Sequence, residues 1–195
     1  KLRLQADYRT GTGDTRIIAL KDGSTVQLDT GTSIALADSR DARGVRLLAG
    51  RAFFHVAKDP ARPFSVTAGD VKVTVTGTRF DVGLTSHAID VMLAEGTVNA
   101  RYPQGQVAMA PGEHLHFDRQ RKLAAMESVP VNAIAAWRRG KLLIEGAPVS
   151  AIVDQIRPYF PGLIIVTDGT LASRKVTGAF DLRDPAGALQ TIVEP

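Results

Sequence analysis

From Arg16 to about Ala125, apolar residues recur at every second position over short stretches. Val71, Val73 and Val75 alternate with Lys72 and Thr74, and Phe80, Val82 and Leu84 keep the same period. Ala52, Phe54 and Val56 alternate with Phe53 and His55, and Ile89–Leu93 and Val98–Ala100 follow. Period two turns one face of a strand towards a core and the other towards solvent. Between Arg16–Leu20 and Thr25–Leu28 stands Lys21-Asp22-Gly23-Ser24. Asp-Gly between apolar runs predicts a hairpin with a type I′ turn. Leu48-Ala49-Gly50-Arg51-Ala52 and Leu93-Ala94-Glu95-Gly96-Thr97-Val98 share a pattern, and Met109-Ala110-Pro111-Gly112-Glu113 is a looser copy. Each reads as an apolar residue, a tight glycine turn and a new strand. The expectation is a mainly β unit of stacked antiparallel hairpins, sandwich-like or solenoid-like. Three uneven copies are too few for a true repeat array.

Near residue 128 the period changes. Val131, Ile134 and Arg138 fall on one helical face, which predicts a short helix over 130–138. Leu142–Ile144 reads as a strand. Pro148 suits a first helical position, and Val149, Ile152, Val153 and Ile156 follow at amphipathic spacing. Pro158 should end that helix by moving Arg157 out of the α region. Leu163–Val166 reads as a buried strand and Val176–Phe180 as another. Asp184 is placed as an N-cap, Pro185 in the first turn, and Ala188, Leu189 and Ile192 on a helical face. This predicts a small α/β unit of βαβ type. The boundaries are a β-rich domain over 1–128, a connecting helix over 129–139 and an α/β domain over 140–195. The linker most open to cleavage is expected between Leu123 and Val129.

A chain of 195 residues can bury a core in either one or two domains. No apolar run approaches the roughly 18 residues that span a membrane, and residues 1–9 do not read as a signal peptide. Any membrane anchor therefore lies outside this chain. The net charge of +4 is mild and interspersed, and the basic run Arg119–Lys122 carries no aromatics, so it reads as a solvated turn. Nucleic acid is not expected as a partner. Without cysteine there are no disulfides, zinc-thiolate sites or thiol nucleophiles.

Candidate chemistry is sparse. There is no Gly-x-Ser-x-Gly elbow and no His-Glu-x-x-His helix. Gly11-Thr12-Gly13 lacks the third glycine and following helix of a nucleotide loop. His114 and His116 share one strand face, with Glu113 and Asp118 close in sequence. They could ligate a metal only if a third ligand came from elsewhere. Asp70, Asp81 and Asp90 are spread over separate strands, and His55 alternates with apolar neighbours. No catalytic residue, metal or cofactor is expected. Trp137, the one tryptophan, is placed as a buried anchor at the domain junction.

Several ordered blocks resemble a known family. Tyr8-Arg9-Thr10 with Leu20-x-Asp22-Gly23-Ser24-x-Val26-x-Leu28 is similar to the opening of the FecR domain. Arg46-Leu47-Leu48-x-Gly50-x-Ala52-Phe53-Phe54-x-Val56 is similar to its second block. Pro63-Phe64-x-Val66-x-Ala68-Gly69, Gly77-Thr78-x-Phe80-x-Val82 and Leu93-x-Glu95-Gly96-x-Val98 resemble the next three. Trp137-Arg138-x-Gly140-x-Leu142 resembles the block that closes the domain. The remainder resembles the short signalling fold of secretins and TonB-dependent transporters. A further strand would then lie beyond Pro195.

The resemblance implies an anti-sigma regulator, not an enzyme. Such a protein has a cytoplasmic anti-sigma segment, one inner-membrane helix and a periplasmic region. The periplasmic region senses the N-terminal signalling domain of a TonB-dependent outer-membrane transporter carrying an iron chelate or siderophore. Site-specific proteases of the envelope then free a sigma factor. This chain would be the periplasmic region, and a sigma factor would be a partner only through the cytoplasmic segment outside it. Contact is expected along an open strand edge of the C-terminal unit: Leu142, Leu143 and Ile144, or Val176, Gly178 and Phe180. A structural envelope module is the main alternative. A carbohydrate-binding or carbohydrate-hydrolysing β-domain is a third reading, disfavoured by the low aromatic content.

Overall fold

The computed structural model describes residues 6–37 and 43–193. The chain divides into two compact units, residues 1–134 and 135–195. In the first, the period-two segments become strands: β1 (Tyr8–Arg9), β2 (Arg16–Ala19), β3 (Thr25–Leu28), β4 (Ser33–Leu36), β5 (Arg43–His55), β6 (Phe64–Ala68) and β7 (Val71–Val75). They continue as β8 (Arg79–Leu84), β9 (Ala88–Glu95), β10 (Val98–Tyr102), β11 (Gly105–Met109), β12 (Glu113–Asp118) and β13 (Leu123–Ser128).

These strands form one curled sheet in two halves that share β5. The first half runs β1-β4-β5-β6-β7-β10-β11. The second runs β2-β3-β5-β8-β9-β12-β13. Only the β5–β6 pairing is parallel among the described strands. Inward positions from both halves build a single core, with Phe54 stacked on Phe80 at 5.1 Å between ring centroids. The alternation holds along β7 and β9 but not at Phe53, which is buried beside Phe54 on the opposite face of β5.

The three glycine patterns are not hairpin turns. Each lies where the chain crosses from one half of the sheet to the other. Gly50 sits inside β5, between the residues that pair with β4 and those that pair with β8. Gly96 joins β9 to β10, and Gly112 joins β11 to β12. At Gly50 φ is +83°, and a Cβ would lie 2.4 Å from Thr32 Oγ1. Neighbouring corners stack closely, and threonine hydroxyls tie them together. The Thr32 hydroxyl donates to the Arg51 carbonyl at 2.9 Å and accepts from the Arg51 amide at 3.0 Å. The Thr78 hydroxyl donates to the Thr97 carbonyl at 3.0 Å. At Lys21–Ser24 the hairpin forms, but only Gly23 has positive φ, so the turn is not type I′. The Gly23 amide closes it by donating to the Leu20 carbonyl at 3.1 Å.

In the second unit β14 (Lys141–Pro148) pairs antiparallel with β15 (Lys175–Asp181). Between them lie α1 (Val149–Ile156), a 3-10 turn (Arg157–Tyr159) and α2 (Gly169–Ser173), and α3 (Pro185–Val193) follows. Helix α1 buries the four apolar residues that its spacing predicts. The Asp184 carboxylate accepts from the Gly187 amide at 3.0 Å, as an N-cap does.

Four local readings change. The helix over 130–138 is instead two 3-10 turns, Val131–Ala133 and Ala136–Arg139, broken by Ala135 in the left-handed region at φ 52°. The α-helix ends before Arg157, but Arg157 keeps α-region dihedrals because the chain tightens into a 3-10 turn before leaving at Phe160. Leu123–Ser128 is no linker but an edge strand paired along its length with β12. Leu163–Val166 is not a buried strand: it has no strand partner among the described residues, and Leu163 and Ile165 are 81% and 68% exposed. An apolar run shows a capacity to be a strand, not that a neighbour exists to pair with it.

Candidate functional site

The six residues expected at the partner contact lie on β14 and β15, and these strands pair with each other. Leu142 faces Phe180 and Ile144 faces Gly178 across the ladder. Each strand thus has one bonded edge and one edge without a strand partner among the described residues. Side chains divide by parity. Leu142, Ile144 and Phe180 are buried, and Val176 and Gly178 follow Phe180 on that face. Only Leu143 of the six projects outward, 40% exposed. A strand added at this ribbon would therefore meet backbone N–H and C=O groups plus the Leu143 side chain.

The sequence reading missed a second feature. Beside α1, the extended stretch 164–167 borders a groove of about 440 Å³ that Val149, Val153, Leu171 and Leu189 also line. Ile164 and Val166 are partly buried, while Leu163 and Ile165 alternate outward. The Arg157 guanidinium donates to the Ile164 carbonyl at 3.3 Å. The sequence shows this stretch as an apolar run, and that pattern alone does not separate a buried strand from an exposed one.

In the N-terminal unit the fold brings together three titratable side chains. His116 on β12 stands directly across from Asp90 on β9, and His114 lies two positions along the same face. Asp90 Oδ1 is 2.8 Å from His114 Nε2 and 2.8 Å from His116 Nδ1. Burial pushes the Asp90 carboxyl up, but the two imidazoles outweigh it and hold it well below the carboxylate range. The facing Asp90 carboxylate raises His116. The expected Glu113 and Asp118 are not part of the cluster: Glu113 accepts from the Ala110 amide, and Asp118 from the amides of Gln120 and Arg121. Asp70 and Asp81 pair instead with Lys122 and Arg51. His55 is exposed, and the Arg119–Lys122 run is the turn between β12 and β13. Trp137 is buried, 5% exposed, in the turn before β14.

Residues 6–99 match the family model described as FecR protein. The chain carries a FecR domain. Five of the six blocks that resembled FecR fall inside the matched span. FecR proteins are regulators in signalling, and that coarse role goes with the domain. Two crystal structures of a candidate anti-sigma factor from Parabacteroides distasonis ATCC 8503, at 1.65 and 2.50 Å resolution, share the fold. They superpose with TM-scores of 0.87 and 0.86 at 22% and 23% identity. The alignments cover 95% of this chain and 89% and 88% of those chains. A comparison with curated proteins gave no match. Among the described residues no helix is long and apolar enough to cross a membrane.

Proposed function

We propose that this chain is the periplasmic, signal-receiving region of an anti-sigma regulator. In this reading its C-terminal unit binds the N-terminal signalling domain of a TonB-dependent outer-membrane transporter, and an inner-membrane helix outside the chain anchors the protein. One observation carries the reading: among the described residues the unit holds a two-stranded ribbon with no further strand on either edge, and a separate apolar stretch, 163–166, with no strand partner. Open edges accept a partner strand through backbone hydrogen bonds, and alternate side chains add specificity. Leu143, Leu163 and Ile165 are among the unit's exposed apolar groups and are available for that role. Support comes also from the FecR domain and from the candidate anti-sigma factors that share the fold. A sigma factor and the envelope proteases would act on parts of the regulator outside this chain.

Hydrogen exchange tests the reading. Adding the purified signalling domain should slow amide exchange in 163–167 or along β14 and β15. Protection confined to the N-terminal unit would overturn the assignment.

A further inference from the structure

We infer that Asp90, His114 and His116 form a binding site for a divalent first-row transition-metal ion such as Zn2+ on the outer face of the N-terminal unit. Their ligand atoms already lie within 4.8 Å of one another. The expectation of no metal rested on the lack of a third ligand near the two histidines. The β9–β12 register supplies it from 24 residues away in sequence.

The platform is rigid. Strand β12 is bonded on both sides, to β9 and β13, and β9 is bonded to β8 and β12. Ile89, Val91, Leu115 and Phe117 are fully buried between and beside the three residues. Their packing fixes the backbone from which Asp90, His114 and His116 project on the opposite face. A tetrahedral Zn2+ with bonds near 2.0–2.1 Å holds its ligand atoms about 3.3 Å apart. The Asp90–histidine distances of 2.8 Å need to widen only slightly, by side-chain rotation.

The surroundings also suit a metal ligand. Glu127 on β13 stands directly across from His114. Its carboxylate is 3.7 Å from His114 Nδ1, the nitrogen not bonded to Asp90; that is beyond hydrogen-bond distance, and a small side-chain movement would close it. Ligating histidines commonly turn their second N–H to a carboxylate, which fixes the tautomer. Two imidazoles and one carboxylate select transition metals over Mg2+ and Ca2+, which prefer all-oxygen shells. His116 is 42% exposed, so an ion has a path in, and open coordination positions face outward.

The test is calorimetric titration of the untagged chain with ZnCl2 near neutral pH. One equivalent should bind, and Ca2+ and Mg2+ should not. His114→Ala/His116→Ala should abolish binding, and Glu127→Gln should weaken it about tenfold. Ring-proton NMR gives a second readout, since the chain has four histidines. Zn2+ should shift His114 and His116 and leave His55 and His87 unmoved. Absence of binding to the wild type, or binding unchanged in the double variant, would overturn the inference. So would shifts centred on His55 or His87.

Discussion

Arg43 and Asp22 form the most enclosed ion pair among the described residues, at 2.9 Å with side chains 5% and 11% exposed. Arg43 also donates to the Arg62 carbonyl at 2.8 Å. Burial pushes the Asp22 carboxyl up, but bonds from Ser24 and Arg43 pull it further down, below its usual 3.8. A carboxylate with a lowered pKa stabilises the fold above the unfolded value, and that contribution is lost as pH falls through the folded one. Asp22→Asn should therefore cost about 3 kcal/mol at pH 7, measured by urea unfolding. The part of that gap carried by the charge should be lost as pH falls below about 4, so the gap should narrow there. A gap that stays constant with pH would show that the carboxylate charge contributes nothing. Gly50→Ala should cost at least about 2 kcal/mol, since it adds positive-φ strain to a clash with Thr32. Trp137→Ala should cost about 3–5 kcal/mol, as for other buried aromatics. At this scale the sequence shows that His114 and His116 share a strand face. It does not show Asp90 opposite them, because register between distant strands comes from the whole ladder.

Among elements, alternation and helical spacing marked β7, β9, α1 and β15 because burial on one face leaves a regular imprint. Pairing leaves no such imprint. The strand character of Leu142–Ile144 and Val176–Phe180 was legible, but that they bond to each other was not. Leu163–Val166 has the same apolar content and finds no strand partner among the described residues. The glycine corners were visible as a recurring pattern, yet a hairpin and a crossing between sheet halves both need a tight positive-φ step. These placements separate structural from contact residues. Phe180→Ala removes a buried side chain and should cost about 3–5 kcal/mol. Leu163→Lys/Ile165→Lys changes exposed positions and should shift stability by no more than about 0.5 kcal/mol per site. Thermal unfolding of the two variants checks both. A large loss in the lysine variant would mean that this stretch serves its own unit's core.

For the whole molecule, the change of period near residue 128 was legible as a boundary, and the compact units meet at Ile134 and Ala135. All six residues of β13 are exposed, so no alternation of buried and exposed positions marks it as a strand, while its backbone is tied to β12. Limited proteolysis should accordingly cut first between Val129 and Ala135 and leave a protected β-rich fragment. Early cutting within Leu123–Ser128, or equal cutting throughout, would contradict two separately stable units. The central claim is that the C-terminal unit receives the transporter signal. Calorimetry of the full chain against the purified transporter signalling domain tests it most directly, with Leu163→Lys/Ile165→Lys and Leu143→Pro as variants. A proline in β14 removes a backbone donor at the ribbon. The wild type should bind, and binding should be lost in the folded lysine variant and in the proline variant. Binding by a fragment ending at Ile134 as tight as that of the full chain would place the contact in the N-terminal unit instead.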